Sequence, residues 1–211
     1  MSCAYEFDVF VFDFDGTLVD SNEIKEKAFF DVVFNLKKGS EIMHTTLKKT
    51  KGDRTQIFKS FITNYEAQIE NTKLNINQLI KKYSYITDSK VQDSKNIDGA
   101  EDLLKLLRRK QKKVFINSLT PQQNLIKILD EKKWISYFDG IYGSPKSKFE
   151  NLKIIEKEEN ISPSKFLIIG DGVDDKESAE KFGGSFYGVG KIFGHGINNS
   201  LLNLYSQLCD V

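Results

Sequence analysis

The sequence predicts an α/β protein: a parallel sheet flanked by helices, interrupted near its start by an all-helical segment. Three observations predict it. The apolar run Phe7 to Phe12 reads as a strand buried on both faces. The chain from Asp98 onward alternates helix-like stripes with short β-rich runs. Between the two, residues 21–92 show helical periodicity alone. The first strand runs into Asp13-Phe14-Asp15-Gly16-Thr17, which puts two carboxylates where a buried strand leaves its sheet. Ligands of parallel sheets bind beyond the carboxyl ends of the strands, so this placement points to a reactive site, although an exposed strand end can also carry two solvated acids.

Each element follows from local pattern. Ile24, Ala28, Phe29, Val32, Val33 and Leu36 recur at spacings of three and four, as do Ile57, Phe58, Phe61, Ile62 and Tyr65, and then Ile76, Leu79, Ile80 and Tyr83. These stripes predict an inserted helical domain over 21–92, leaving 1–20 and 93–211 to the sheet domain. Asp98 and Glu101 have capping-box spacing before the helix carrying Leu103, Leu104, Leu106 and Leu107. Val114-Phe115-Ile116 predicts a strand ending at Asn117-Ser118. Thr120-Pro121 then reads as a helix start with Thr as N-cap and Pro first. A weak strand at Gly140 to Tyr142 precedes a second capping box, Ser147 to Glu150, and its helix. Phe166-Leu167-Ile168-Ile169 is a buried strand, Gly183-Gly184 a helix stop, Ser185 to Val189 a last strand and Ile197 to Leu208 a final surface helix.

Composition excludes whole classes of function. Thirty-one basic residues face thirty acidic ones over 211 positions, so no global field draws the chain to nucleic acid or to an anionic membrane. Cys3 and Cys209 have no metal-ligand spacing, and the N-terminus has no leader-like pattern, which together predict a cytoplasmic setting. No apolar stretch has the length of a bilayer span, so the chain is expected to be soluble.

Three predicted strands end in residues suited to phosphoryl transfer: Asp13 and Asp15, then Ser118, then Gly170-Asp171-Gly172-Val173-Asp174-Asp175. Parallel strands bring such ends to one edge. A lysine before the Leu152 helix, Lys146 or Lys148, completes the set. In this order the four motifs resemble those of the haloacid dehalogenase-like phosphohydrolase superfamily, in its phosphoglycolate phosphatase and β-phosphoglucomutase-like branch. The resemblance covers nearly the whole chain and implies a Rossmann-like core with the helical insert as its cap.

The chemistry can be argued from residue types. A phosphate monoester dianion repels nucleophiles, so a catalyst must neutralise charge, hold the attacking group in line and stabilise the leaving oxygen. Asp13 is the expected nucleophile, forming an aspartyl phosphate, and Asp15 the expected general acid and base. So many acids facing a phosphate call for a cation, and Mg²⁺ suits oxygen ligands. The resemblance implies Asp13, the main-chain carbonyl of Asp15, and Asp171 as ligands, with Asp175 behind them. Ser118 and a lysine would hold the phosphoryl group. Lys148 is preferred over Lys146, because Ser147 as N-cap makes Lys148 the first residue at a positive helix end. Gly16 and Thr17 serve the turn and would offer main-chain N–H groups to phosphate. Asp174 stands three residues before Glu177 and reads as a helix cap.

Within the insert, Gly52-Asp53-Arg54 falls between two helical stripes, where a loop could reach the substrate. Arg54, helped by His44, would read a carboxylate or second phosphate on the leaving group. The expected partner is therefore a small phosphorylated metabolite, bound by a monomer or homodimer. Two rival functions stand beside phosphatase: a sugar phosphomutase of the same superfamily, and a non-catalytic phosphate-binding or regulatory module. Thr17 favours hydrolysis, since the resembling mutases tend to have Val there, and the retention of all four acids counts against a non-catalytic module.

Overall fold

The computed structural model describes residues 6–190 and 200–209. Cys3 and the first residues of the expected last helix, 197–199, lie outside them. The chain divides into two compact units, residues 1–20 with 94–211, and residues 21–93.

The first unit is built on five parallel strands in the order β3-β2-β1-β4-β5, with β1 at Val9–Phe12, β2 at Lys113–Pro121, β3 at Gly140–Ser144, β4 at Phe166–Gly170 and β5 at Ser185–Gly188. Every residue of β1 and β4 is buried, which is why both strands read as unbroken apolar runs. Phe12 is in register with Ile116 of β2 on one side and Ile169 of β4 on the other, so the residues following all three strands leave the sheet side by side. The chain moves from β1 to β2 and β3 in one direction, then crosses back to β4 and β5. Strand order therefore reverses between β1 and β4, and at such a reversal the carboxyl edge opens a crevice. One core of the unit packs Val9, Val11, Phe115, Phe166 and Ile168 against Leu152, Ile155, Ala179 and Phe182.

The helices of this unit are α5 at Ala100–Arg109, α6 at Gln122–Glu131, α7 at Lys148–Glu159, α8 at Val173–Phe182 and α9 at Leu201–Cys209. Three starts differ from the sequence expectation. Gly99, in the left-handed region at φ 82°, opens α5, and no Asp98 capping bond forms. β2 runs on to Pro121, so Thr120 belongs to the strand and α6 has no side-chain cap. Val173 opens α8, which places Asp174 inside the first turn instead of at the cap. For two of them a second partner outcompeted the local capping pattern: the Thr120 hydroxyl goes to Asp15 and Asp174 pairs with Lys148. Ser147 does cap α7, accepting from the Glu150 N–H at 3.2 Å while Glu150 accepts from the Ser147 N–H at 2.8 Å.

The second unit contains the helices α1 to α4, at Asn22–Val33, Gly39–Lys49, Arg54–Glu66 and Ile76–Gln92. The stripes read from sequence meet in one core, where the tilted ring of Phe29 contacts Tyr83 at 4.5 Å and Phe58 at 5.3 Å, measured between ring centroids. Such aromatic contacts add about 0.5–1.5 kcal/mol beyond area burial. No helix among the described residues is long and apolar enough to cross a membrane.

Candidate active site

At the carboxyl edge of β1 the chain makes a tight turn. Asp13, the first residue after β1, is still tied to β4, its N–H donating to Ile169 O at 2.8 Å, and Phe14 is fully buried. Gly16 takes φ 74°, a conformation glycine adopts at no steric cost, and its N–H donates to Val19 O at 2.8 Å. That N–H is thereby committed to the turn, contrary to the expectation that it would cradle phosphate. The Thr17 hydroxyl, fully buried, donates to Asp171 Oδ1 at 3.1 Å across 154 residues of sequence. It steadies an acid of the next motif.

The edge is organised around Lys148. Its Nζ lies 2.7 Å from Asp175 Oδ1, 2.8 Å from Asp174 Oδ2 and 3.2 Å from Asp13 Oδ2, with only 5% of its side chain exposed. Ser147 capping fixes the helix start, and Lys148 becomes its first residue. The backbone there is also tied to β2: Asn117 Nδ2 donates to Lys148 O at 2.8 Å, and Asn151 Nδ2 donates to Asn117 Oδ1 at 3.0 Å. Both asparagines are buried, so their amides are committed to this link. Lys146, in contrast, is exposed.

Asp175 reaches back along α8, accepting from the Gly172 N–H at 3.1 Å. Gly170 makes this possible, because a Cβ at that position would come within 2.2 Å of Asp175 Cγ. Ligand oxygens of Asp13, Asp171 and Asp175 lie within 4.8 Å of one another. Ser118 is buried and its Oγ accepts from the Thr120 N–H at 3.2 Å. Thr120 Oγ1 in turn donates to Asp15 Oδ2 at 2.7 Å. Sequence reading missed Thr120, Asn117 and Asn151. The signal for the asparagines was a polar residue at the end of an apolar strand run and another on a helix's buried stripe.

Electrostatics follow from one ammonium among several carboxylates. Burial pushes the Asp13 carboxyl well above the ordinary carboxylate range; Lys148 opposes this, while Asp175, Asp171 and Asp15 add to it. Burial likewise raises Asp175, to about 6, against the pull of Lys148. Burial alone would lower the Lys148 pKa, but Asp13, Asp175 and Asp174 outweigh it and push the ammonium upward. The site thus carries surplus negative charge, and Asp13 Oδ1 is buried with no hydrogen-bond partner. An orphaned carboxylate oxygen between two further acids is the donor set of a hard divalent cation, so these residues fit Mg²⁺.

Arg54 and His44 belong to the helical unit and are not members of this cluster. Arg54 is no loop residue: Asp53 caps α3 through a reciprocal bond with Gln56, and Arg54 is the first helical position. Its guanidinium donates to Ser84 Oγ at 2.9 Å and lies 5.9 Å from the Tyr83 ring centre. His44 is exposed on α2.

Comparison with known proteins agrees with this architecture. The structure is similar to that of CbbY from Rhodobacter sphaeroides, crystallised with phosphate, at 14% identity over 97% of this chain and 100% of that one, with a TM-score of 0.73. It is similar to a predicted phosphoglycolate phosphatase from Haemophilus somnus, at 17% identity over 94% and 91% of the two chains, TM-score 0.70. A haloacid dehalogenase-like family hydrolase from Streptococcus pneumoniae matches at 22% identity over 95% and 91%, TM-score 0.62. No curated protein matches the chain in sequence. The family model for haloacid dehalogenase-like hydrolases matches residues 10–189, and the chain belongs to that family.

Proposed function

We propose that the protein is a Mg²⁺-dependent phosphomonoester hydrolase acting on a small phosphorylated metabolite. The observation that carries this reading is Asp13: a buried carboxylate with one oxygen held by Lys148 and the other unpartnered. That arrangement aims a nucleophile while leaving an oxygen for a cation.

Asp13 attacks phosphorus, the bond to the leaving oxygen breaks, and the proton of Asp15 passes to that oxygen to release an alcohol. Water then attacks the aspartyl phosphate at phosphorus, its proton returns to Asp15, and phosphate leaves with the Asp13 carboxylate restored. Lys148 and Ser118 offset and orient the phosphoryl charge. Asp13, Asp171, Asp175 and the Asp15 carbonyl are assigned to hold Mg²⁺, which when bound supplies the positive charge that lets a dianion approach these acids.

The helical unit is assigned the role of a cap that reads the leaving group. Arg54 has donors beyond the one given to Ser84, and His44 is an exposed second group of the same unit. Phosphate release from a panel of monoesters tests the proposal. Release that requires Mg²⁺ and is lost in Asp13→Asn is expected; no release from any monoester, p-nitrophenyl phosphate included, would refute it.

A further inference from the structure

We infer that Thr120 is a positioning residue that holds the Asp15 carboxyl for proton transfer, an inference that rests on the acid-base role assigned to Asp15 above. The two residues are 105 positions apart, and their side chains meet at 2.7 Å, the length of a strong hydroxyl-carboxylate hydrogen bond. Thr120 is 9% exposed. The β2–β3 ladder shifts register between Asn117 and Pro121, and Thr120 lies within this irregular stretch. Bulges of this kind re-aim side chains beside active sites.

Its backbone is held as well. The Thr120 N–H donates to Ser118 Oγ at 3.2 Å, and Pro121 restricts the residue before it to extended conformations. A hydroxyl at this point in the sequence would ordinarily cap the following helix. Here α6 forms without a side-chain cap, and the hydroxyl goes to Asp15. The terminal torsion of aspartate is broad, so an unrestrained carboxyl would rotate freely about it. The Thr120 bond to Oδ2 holds the Asp15 carboxyl in one orientation for its proton transfers.

The contribution is separable from general structural damage because leaving groups differ in their need for a proton. A p-nitrophenolate departs with little help, whereas an alkoxide must be protonated as it leaves. In Thr120→Val, which keeps the side-chain shape, and in Thr120→Ala, kcat/KM for an alkyl monoester should fall about ten-fold more than for p-nitrophenyl phosphate. Thr120→Ser, which keeps the hydroxyl, should restore the wild-type ratio. Equal losses on both substrates, no loss, or a Ser variant behaving like Val would overturn the inference. Asp15→Asn measured alongside distinguishes the two possible failures. If first-turnover release of the leaving group in Asp15→Asn is slowed selectively for the alkyl monoester while in the Thr120 variants it is not, Thr120 alone is wrongly assigned. If Asp15→Asn retains alkyl hydrolysis, the acid-base role of Asp15 falls and the role of Thr120 with it.

Discussion

Asp13 is chemically valuable and structurally expensive, and both follow from its surroundings. It is buried, shares Lys148 with Asp174 and Asp175, and has its carboxyl pKa raised well above the usual range. A carboxyl raised in the folded state binds its proton more tightly there than in the unfolded chain. Stability is therefore lost as pH rises from the unfolded pKa to the folded one, a window reaching about 6 for Asp175. Metal-free protein should lose Tm across this range, and Asp13→Asn should recover part of the loss, more at pH 7.5 than at pH 4.5. Thermal melts at the two pH values in chelator check both. Removing the Lys148 ammonium does the reverse: Lys148→Ala leaves buried acids without this partner and should cost about 3–5 kcal/mol, read from denaturant unfolding. Lys148 was legible in the sequence because the Ser147 cap separated it from Lys146. Thr120 was not, because Thr-Pro is also a common way to begin a helix, and only the folded chain shows its hydroxyl on Asp15.

At the scale of elements, caps and strand ends aim the chemistry. Ser147 both starts α7 and sets where Lys148 stands, so Ser147→Ala should cost about 1 kcal/mol of stability and also lower kcat. Denaturant titration beside steady-state kinetics tests the pair; a stability loss with unchanged kcat would detach the cap from the site. Helical stripes and the two apolar strands could be read because burial imposes periods of 3.6 and 2 on the sequence. Helix starts were harder. Asp98, Thr120 and Asp174 all offered capping patterns, yet Gly99 opened α5, β2 extended through Thr120, and Lys148 drew Asp174 into an ion pair. Asp53 shows the opposite error, a complete capping box with Gln56 in a stretch read as loop.

For the whole molecule, the order of strands turns scattered motifs into one edge. Sequence reading could place Asp13, Ser118 and Asp171 at strand ends; that β1 lies between β2 and β4 is a property of the sheet, decided by long-range packing. The helical unit has its own core, and we assign leaving-group recognition to it. Arg54→Ala should raise KM for substrates bearing a second anionic group while leaving KM for p-nitrophenyl phosphate within about two-fold; equal increases on both would remove Arg54 from substrate reading. The most direct test of the division of labour between Asp13 and Asp15 uses Asp15→Asn incubated with p-nitrophenyl phosphate and Mg²⁺, quenched in acid and digested for mass spectrometry. Phosphoryl transfer to Asp13 needs little help with this leaving group, whereas hydrolysis of the aspartyl phosphate lacks its base. The prediction is one hydroxylamine-sensitive phosphoryl group on the peptide carrying Asp13, and the contradicting result is no phosphorylated peptide, or a phosphoryl group on any other residue.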